Sequence, residues 1–470
     1  MSKFKHDLLL RLIKLVDAVL MTIPFALCWY LYYSDRTASP FDEKGNLIVV
    51  LLFLVLFIIF GRIYDAFMMS IQQISEIVYA QFLAVAVSDL IIYVVICLLS
   101  KGLTNLLPGI AALVGQIILA FLWAYLAHHG YYATFPAKRT AIIYDVRRGF
   151  EKLISKYGLD GKYDVVLTLC AEDCLKDLSV LDGIETVFAS GIHSHDRNII
   201  LKYCIEHSIN MFVIPRIGDV IMSGARHMHM FHLPMLTVSR YMASPEYLLA
   251  KRIIDIIVSA LGLIVLSPIL LVTAIAIKAT DHGPVFYKQV RLTKNGREFN
   301  IFKFRSMCVD AEKDGVARLS TGDKDDRITP VGRIIRACRI DELPQLINIL
   351  KGDLSIVGPR PERPEIAAQY CEEMPEFNLR LQQVKAGLTG YAQVYGKYNT
   401  TPYDKLVMDL MYIAHPSIIV DFKIMFATVK ILFLPESTEG VAEGQATTMA
   451  ENEVTVAAEK KAENDDDVAV

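Results

Sequence analysis

Residues 253–277 read IIDIIVSALGLIVLSPILLVTAIAI, an apolar run long enough to cross a bilayer. Two features argue against a simple crossing. Both flanks are basic, with Lys251 and Arg252 before the run and Lys278, Lys288 and Arg291 after it. A single crossing would leave one basic flank on the outer side, against the usual bias. Ser267-Pro268 also sits just past the middle. Proline removes an intrahelical hydrogen bond and kinks a helix, and a neighbouring serine hydroxyl can satisfy the freed carbonyl. Proline is tolerated in true spanning helices too. The residues therefore leave open both a fifth span and a helix that enters and leaves on one face, bent at Ser267 and Pro268.

Toward the N-terminus, four further apolar runs stand near 15–33, 45–61, 77–99 and 107–128. They account for a hydrophobic fraction of 53% and a mean hydropathy of +0.38 in a 470-residue chain, and they predict a four-helix transmembrane block over 1–136. Asp89 within the third run should face other helices. Basic residues cluster before the first run (Lys3, Lys5, Arg11, Lys14) and after the fourth (Lys138, Arg139, Arg147, Arg148), so both ends of the block read as cytoplasmic. The eight cysteines include no CxxC, which fits a reducing compartment rather than a disulfide framework.

Residues 137–245 change rhythm. Short β-rich runs (TAIIYDV, YDVVLTLC, ETVFASG, NMFVIPRI) alternate with amphipathic ones, which predicts a Rossmann-like α/β domain with a parallel sheet. Its first turn reads YDVRRG rather than GxGxxG. Without those glycines a backbone cannot approach a pyrophosphate, so a regulatory or structural role without a dinucleotide is expected. His227, His229 and His232 alternate in RHMHMFH, and a surface or packing role is expected over a metal site.

Toward the C-terminus, 281–435 is polar and rich in Gly-Pro turns. In GPVFYKQVRLTKNGREFNIFKFRSM (283–307), Lys288, Arg291, Lys303 and Arg305 flank an Asn295-Gly296 hairpin turn. Converging, they could neutralise a diphosphate; a solvated hairpin is the plain alternative. In RITPVGRIIRACRIDELPQLINILKGD (327–353), Asp341 and Glu342 start an apolar-periodic helix, downstream of Arg333, Arg336 and Arg339. A carboxylate can attack phosphorus, and a second can hold Mg²⁺ beside a phosphate; a capping pair is the plain alternative. In SIVGPRPE (355–362), Pro359 and Pro361 stiffen the chain around Arg360.

Taken in order, the Ser-Pro of the membrane segment, KFRSM, DELPQL, GDLSIVGPRPE and KAGLTGYAQVYG (385–396) resemble the bacterial sugar transferases, the monotopic phosphoglycosyl transferases. A closing pattern of Asp409, Tyr412 and Asp421 adds to the resemblance, which covers about 250–433. The four-helix block and the Rossmann-like domain resemble the long form of that family, which primes exopolysaccharide or capsule synthesis. The resemblance implies a mainly α catalytic domain (281–435) carried on a re-entrant membrane helix (246–280). It implies a covalent mechanism in which Asp341 takes the sugar phosphate from a nucleotide-diphosphate sugar and passes it to a polyprenyl phosphate. By the same carry-over, Glu342, with Asp341, holds Mg²⁺. Lys303, Arg305, Arg336 and the Pro359-Arg360-Pro361 turn bind substrate. The enzyme would sit in the bacterial inner membrane with its catalytic domain in the cytoplasm, contacting membrane lipid and no nucleic acid; a homodimer is one expectation. Where family members often carry Leu or Ser-Leu before the dyad, this chain has Arg339-Ile340.

Three alternatives remain at this stage. A direct lipid-carrier glycosyl transferase would release a nucleoside diphosphate. A polytopic phosphoglycosyl transferase would place acidic clusters between spanning helices, whereas Asp323, Asp325 and Asp326 fall in a soluble-looking loop. A non-enzymatic scaffold or sensor would not need the dyad. The net charge of −3 divides into −8 for the tail 436–470, which is expected to be disordered, and +5 for the rest. Nothing in the sequence names the sugar or the base.

Overall fold

The computed structural model describes residues 3–145, 149–238, 243–308, 327–396 and 400–432. Arg147 and Arg148, the acidic cluster at Asp323, Asp325 and Asp326, and the tail 436–470 lie outside the described residues. The chain divides into two compact units, Met1–Val213 and Ile214–Val470.

The first unit opens with α1 (Lys3–Cys28), prolonged by a π-helical turn (Trp29–Tyr33). There follow α2 (Glu43–Ile63), α3 (Ile74–Leu99) and α4 (Leu107–Thr134). These are the four expected apolar helices, and each is long and apolar enough to cross a membrane. Their aromatic side chains pack inward: Phe25 stacks on Phe53 with ring centroids 4.5 Å apart, and Trp29 and Phe57 are fully buried. Leu31, Ile48, Leu98 and Leu126 point out, as lipid-facing side chains would. Asp89 hydrogen-bonds Gln116 of α4, and Asp17 accepts from Gln81 Nε2 at 2.9 Å. These two contacts join neighbouring helices inside the bundle, while Asp89 Oδ2, Gln81 Oε1 and Gln116 Oε1 are buried without a hydrogen-bond partner among the described residues.

The same unit continues as an α/β layer with β1 (Lys138–Tyr144), α5 (Phe150–Lys156), β2 (Tyr163–Cys170), α6 (Ala171–Lys176), β3 (Thr186–Ser190), α7 (Ser194–Glu206) and β4 (Asn210–Val213). All strand pairs are parallel, in the order β2-β1-β3-β4. Ala141, Ile143, Val187 and Ala189 bury one face against α6 and α7 residues including Cys174, Ile200 and Cys204. The four β-rich runs read from sequence are these four strands.

The sheet ends earlier than the expected boundary at 245. Next in the chain, α8 (Ile217–Ser223) places Ile217 and Val220 in the core of the second unit, beside Leu406, Leu410 and Ile413. Apolar burial there, rather than the strand rhythm upstream, decides which unit this segment joins. The His-Met run forms an exposed antiparallel hairpin of β5 (Arg226–Met230) and β6 (Leu233–Thr237), with His227 and His229 alternating along β5.

The membrane segment is α9 (Pro245–Asp281), capped by Ser244, whose side chain accepts from Tyr247 N. It is one uninterrupted α-helix of 37 residues, about 55 Å at 1.5 Å per residue. Proline does not end it. Pro268 leaves the Ile264 carbonyl without its usual N–H, and Ser267 Oγ donates to that carbonyl at 2.7 Å. Five described helices are thus long and apolar enough to cross a membrane.

Beyond α9 come the hairpin β7 (Phe286–Thr293) and β8 (Arg297–Phe304), α10 (Pro330–Ala337), α11 (Gln345–Lys351) and β9 (Ser355–Val357). The chain then runs through α12 (Pro364–Glu373), α13 (Phe377–Gln383), β10 (Gly387–Thr389), α14 (Tyr391–Tyr395), α15 (Pro402–Ala414) and α16 (Ile418–Leu432). Asn295 and Gly296 both take positive φ in the β7–β8 turn, as the Asn-Gly signal predicts. The core joins Phe299 and Ile301 of β8, Leu346 and Ile349 of α11, and Leu406 and Leu410 of α15. Among the described residues the unit is mainly helical, as expected, with three two-stranded sheets, β5–β6, β7–β8 and β9–β10.

Candidate active site

Asp341 and Glu342 lie in a 3-10 turn (Ile340–Glu342) that leads into α11. The turn is entered through Arg339, which takes the left-handed conformation at φ 54. A non-glycine residue there is uncommon, and such strain concentrates at functional sites. Glu342 Oε1 accepts from Lys303 Nζ of β8 at 2.8 Å. Burial alone would raise the Glu342 carboxyl, but Lys303, Arg360 and Arg339 together outweigh it and hold the pKa at about 2. Asp341 is also buried, at 9% exposure, and its Oδ1 has no hydrogen-bond partner among the described residues. Burial and the neighbouring Glu342 charge push it up to about 6, against the opposing pull of Lys303, Arg339 and Arg336. The two adjacent carboxylates thus differ in kind. One is a committed anion bound to a lysine, and the other has an uncommitted oxygen.

The Pro359-Arg360-Pro361 turn joins this dyad electrostatically through Arg360. Four successive backbone carbonyls hold the turn. Pro359 O accepts from Gly387 N at 2.8 Å, and Arg360 O from Arg380 Nη2 at 2.7 Å. Pro361 O accepts from Arg291 Nη1 at 3.1 Å, and Glu362 O from Leu292 N at 3.0 Å. Close backbone approach makes this possible. A Cβ on Gly358 would collide with Lys385 O, and one on Gly387 with Gly358 N. Arg380 is buried against Asp409, with Nε 2.6 Å from Oδ2, and reaches Glu362 at 3.4 Å. Burial and the adjacent Arg360 push Arg291 down to about 10, the mark of crowded cations.

The sequence-predicted residues divide as follows. Lys303, Arg336, Arg360, Asp341 and Glu342 share one electrostatic neighbourhood. Arg305 does not open outward: it is 8% exposed, and a side chain at Gly283 would strike its guanidinium. Ser267 and Pro268 belong to the membrane helix. The closing triad separates, with Asp409 propping the proline turn through Arg380. Tyr412 and Asp421 instead hold the start of α9. There Tyr412 donates to Asp421 Oδ1 at 2.7 Å, while Lys251 Nζ and Tyr247 OH each reach Oδ2 at 2.9 Å.

Sequence reasoning missed Arg380 and Asp255. Asp255 is 5% exposed and accepts from Ser355 Oγ at 2.9 Å and Ile356 N at 3.0 Å, tying α9 to β9. Its one signal was an acidic residue in an apolar run. Arg380 had none beyond its place in a short amphipathic helix.

A buried Asp341 and a half-buried Glu342 thus stand among lysine and arginine side chains, on a unit that also contains a helix long and apolar enough to cross a membrane. Residues 246–435 match the bacterial sugar transferase family. A UDP-N-acetylgalactosamine-undecaprenyl-phosphate N-acetylgalactosaminephosphotransferase of Aeromonas hydrophila is 37% identical over 237 residues, 49% of this chain and 54% of that protein. A UDP-glucose:undecaprenyl-phosphate glucose-1-phosphate transferase of Caulobacter vibrioides is 40% identical over 194 residues, 40% of this chain and 72% of that protein. The exopolysaccharide production protein PSS of Rhizobium leguminosarum bv. phaseoli is 40% identical over 191 residues, 39% of this chain and 94% of that protein. The chain belongs to the bacterial sugar transferase family. Against its longer relatives the match spans about half their length, 54% for the Aeromonas protein.

Proposed function

We propose that this protein transfers a sugar 1-phosphate from a nucleotide-diphosphate sugar, of the UDP-hexose class, to undecaprenyl phosphate, and so primes exopolysaccharide or capsule synthesis. The observation that carries the reading is the uncommitted, buried Oδ1 of Asp341 among the charges of Lys303, Arg336 and Arg339. An Asp341 oxygen bonds to the sugar-bearing phosphorus. The bridging P–O bond breaks, and the nucleoside monophosphate leaves with its electron pair. The lipid phosphate then attacks the same phosphorus and displaces Asp341. Lys303, Arg336, Arg339 and Arg360 offset the phosphate charge.

The donor set fits Mg²⁺, which commonly takes one or two carboxylates and completes its shell with phosphate oxygens and water. Asp341 and Glu342 would hold it, and when bound it would neutralise phosphate charge. Removing divalent ions with EDTA is expected to abolish transfer, and adding Mg²⁺ back to restore it; activity surviving EDTA would remove the metal from the reading.

In this reading α9 dips into one leaflet of the inner membrane and holds the site at headgroup depth on the cytoplasmic side. Both its ends pack on one unit, Lys251 on Asp421 near the start and Ile277 with Phe304 and Ile335 near the end. Leu261, Ile264, Val265, Leu271 and Val272 between them are exposed. A homodimer belongs to the same reading, and mass measurement of the detergent-purified protein tests it.

The deciding experiment incubates purified protein with Mg²⁺ and a panel of nucleotide-diphosphate sugars, with and without undecaprenyl phosphate. A single burst of monophosphate from one sugar without lipid, and repeated release once undecaprenyl phosphate is added, both absent in Asp341→Asn, are expected. Release of a diphosphate would mean direct glycosyl transfer instead.

A further inference from the structure

Gln345 lies one helical turn after Asp341. Residues 340–345 keep right-handed helical backbone through Leu343 and Pro344, so the 3-10 turn that carries Asp341 runs directly into the first residue of α11. Gln345 is 2% exposed, and its Nε2 has no hydrogen-bond partner among the described residues. A buried amide donor left unpaired destabilises a fold, and such groups are rare. The same helix shows that this fold can satisfy an amide. Asn348, 1% exposed, donates from Nδ2 to Asn300 O at 2.8 Å and accepts from Phe302 N at 2.9 Å. An unpaired donor and the unpaired acceptor Asp341 Oδ1 thus stand a turn apart.

We propose that the Gln345 carboxamide is held open for the phosphoryl group that Asp341 receives, donating to a non-bridging oxygen as the Asp341–phosphorus bond forms and the bridging bond to the nucleoside monophosphate breaks. This rests on the transfer reading above. A donor aimed at charge that develops in the transition state acts on rate more than on substrate binding. Because the donor is unpaired in the resting protein, removing it also relieves the fold.

The test is Gln345→Met, which keeps volume and loses the amide, beside wild type, Asp341→Asn and Asn348→Leu. The first half-reaction is read as nucleoside monophosphate released without lipid acceptor. Gln345→Met is expected to slow that release about 100-fold, to change KM for the donor sugar by less than about threefold, and to melt at or above the wild-type temperature. Asn348→Leu, which breaks a satisfied amide, is expected to lower the melting temperature. A Gln345→Met protein that releases monophosphate at the wild-type rate overturns the inference, as does one that loses rate and melting temperature together, the signature of a packing residue. The two readings fail separately. Wild type releasing no monophosphate from any donor sinks the transfer reading and this inference with it, whereas active wild type with unaffected Gln345→Met sinks this inference alone.

Discussion

Asp341 and Glu342 are neighbours in sequence with opposite electrostatic fates. Lys303 Nζ, 2.8 Å from Glu342, keeps that carboxylate ionised, while Asp341 remains near 6. An attacking Asp341 must be ionised. The monophosphate-release rate is therefore expected to fall about tenfold per pH unit below about pH 6 and to be flat above it. Lys303 pulls Asp341 down, so Lys303→Met should move that limb to higher pH as well as lower the plateau. A pH profile of the first half-reaction checks both, and an unmoved limb would mean that another group titrates. Arg380 matters through what it supports. Arg380→Met leaves Asp409 buried without its cation, a loss of about 3–5 kcal/mol. It should also raise KM for the sugar nucleotide by releasing the Arg360 carbonyl. Thermal melting and steady-state kinetics read these separately.

Among the elements, α9 and the β9–β10 pair matter most to the site. Four side chains near the start of α9 are committed to the second unit: Tyr247, Lys251, Arg252 and Asp255. Arg252 donates to the carbonyls of Ile349 and Leu350 at 2.7 and 2.8 Å, closing the C-terminal end of α11. The basic pair that reads in sequence as a membrane flank therefore also works inside the protein. Replacing Pro268 by Ala restores a backbone donor to Ile264 and should straighten α9, lowering transfer to the lipid acceptor more than release of monophosphate. A cysteine placed just after Lys278 should label from the cytoplasmic side, and labelling only from outside would rule out re-entry. At the β9–β10 crossing, Gly358→Ala forces backbone apart at Lys385 and Gly387. It should cost about 1–3 kcal/mol and shift the proline turn, seen as a lower melting temperature with a raised KM.

On the scale of the molecule, the second unit has its own core and carries every residue of the proposed site. A protein beginning at residue 214 should therefore keep monophosphate release in detergent within about tenfold of the full chain, since its packed core is self-contained. Complete loss would show that the first unit is needed for the fold or the chemistry of the second. The first unit joins four apolar helices to a parallel sheet whose first turn lacks the glycine fingerprint.

Local rules settled much of this protein from the sequence. Runs of about 20 apolar residues gave the helices of the first unit, because hydropathy over that length has few other solutions. Short β-rich runs alternating with amphipathic stretches marked the four parallel strands, Asn295-Gly296 marked the β7–β8 turn, and the order of short motifs marked the family. The boundary after β4 was not legible, since α8 is assigned by the packing of Ile217 and Val220 against residues nearly 200 positions away. Nor was the division of labour within the dyad, which depends on Lys303 arriving from β8 and on how deeply Asp341 is buried. Arg380, Asp255 and Gln345 are ordinary letters in short helices or an apolar run. Their meaning comes from what tertiary packing places beside them, because the strength of a charge or an amide is set by its burial and its partner, neither of which a one-dimensional pattern contains.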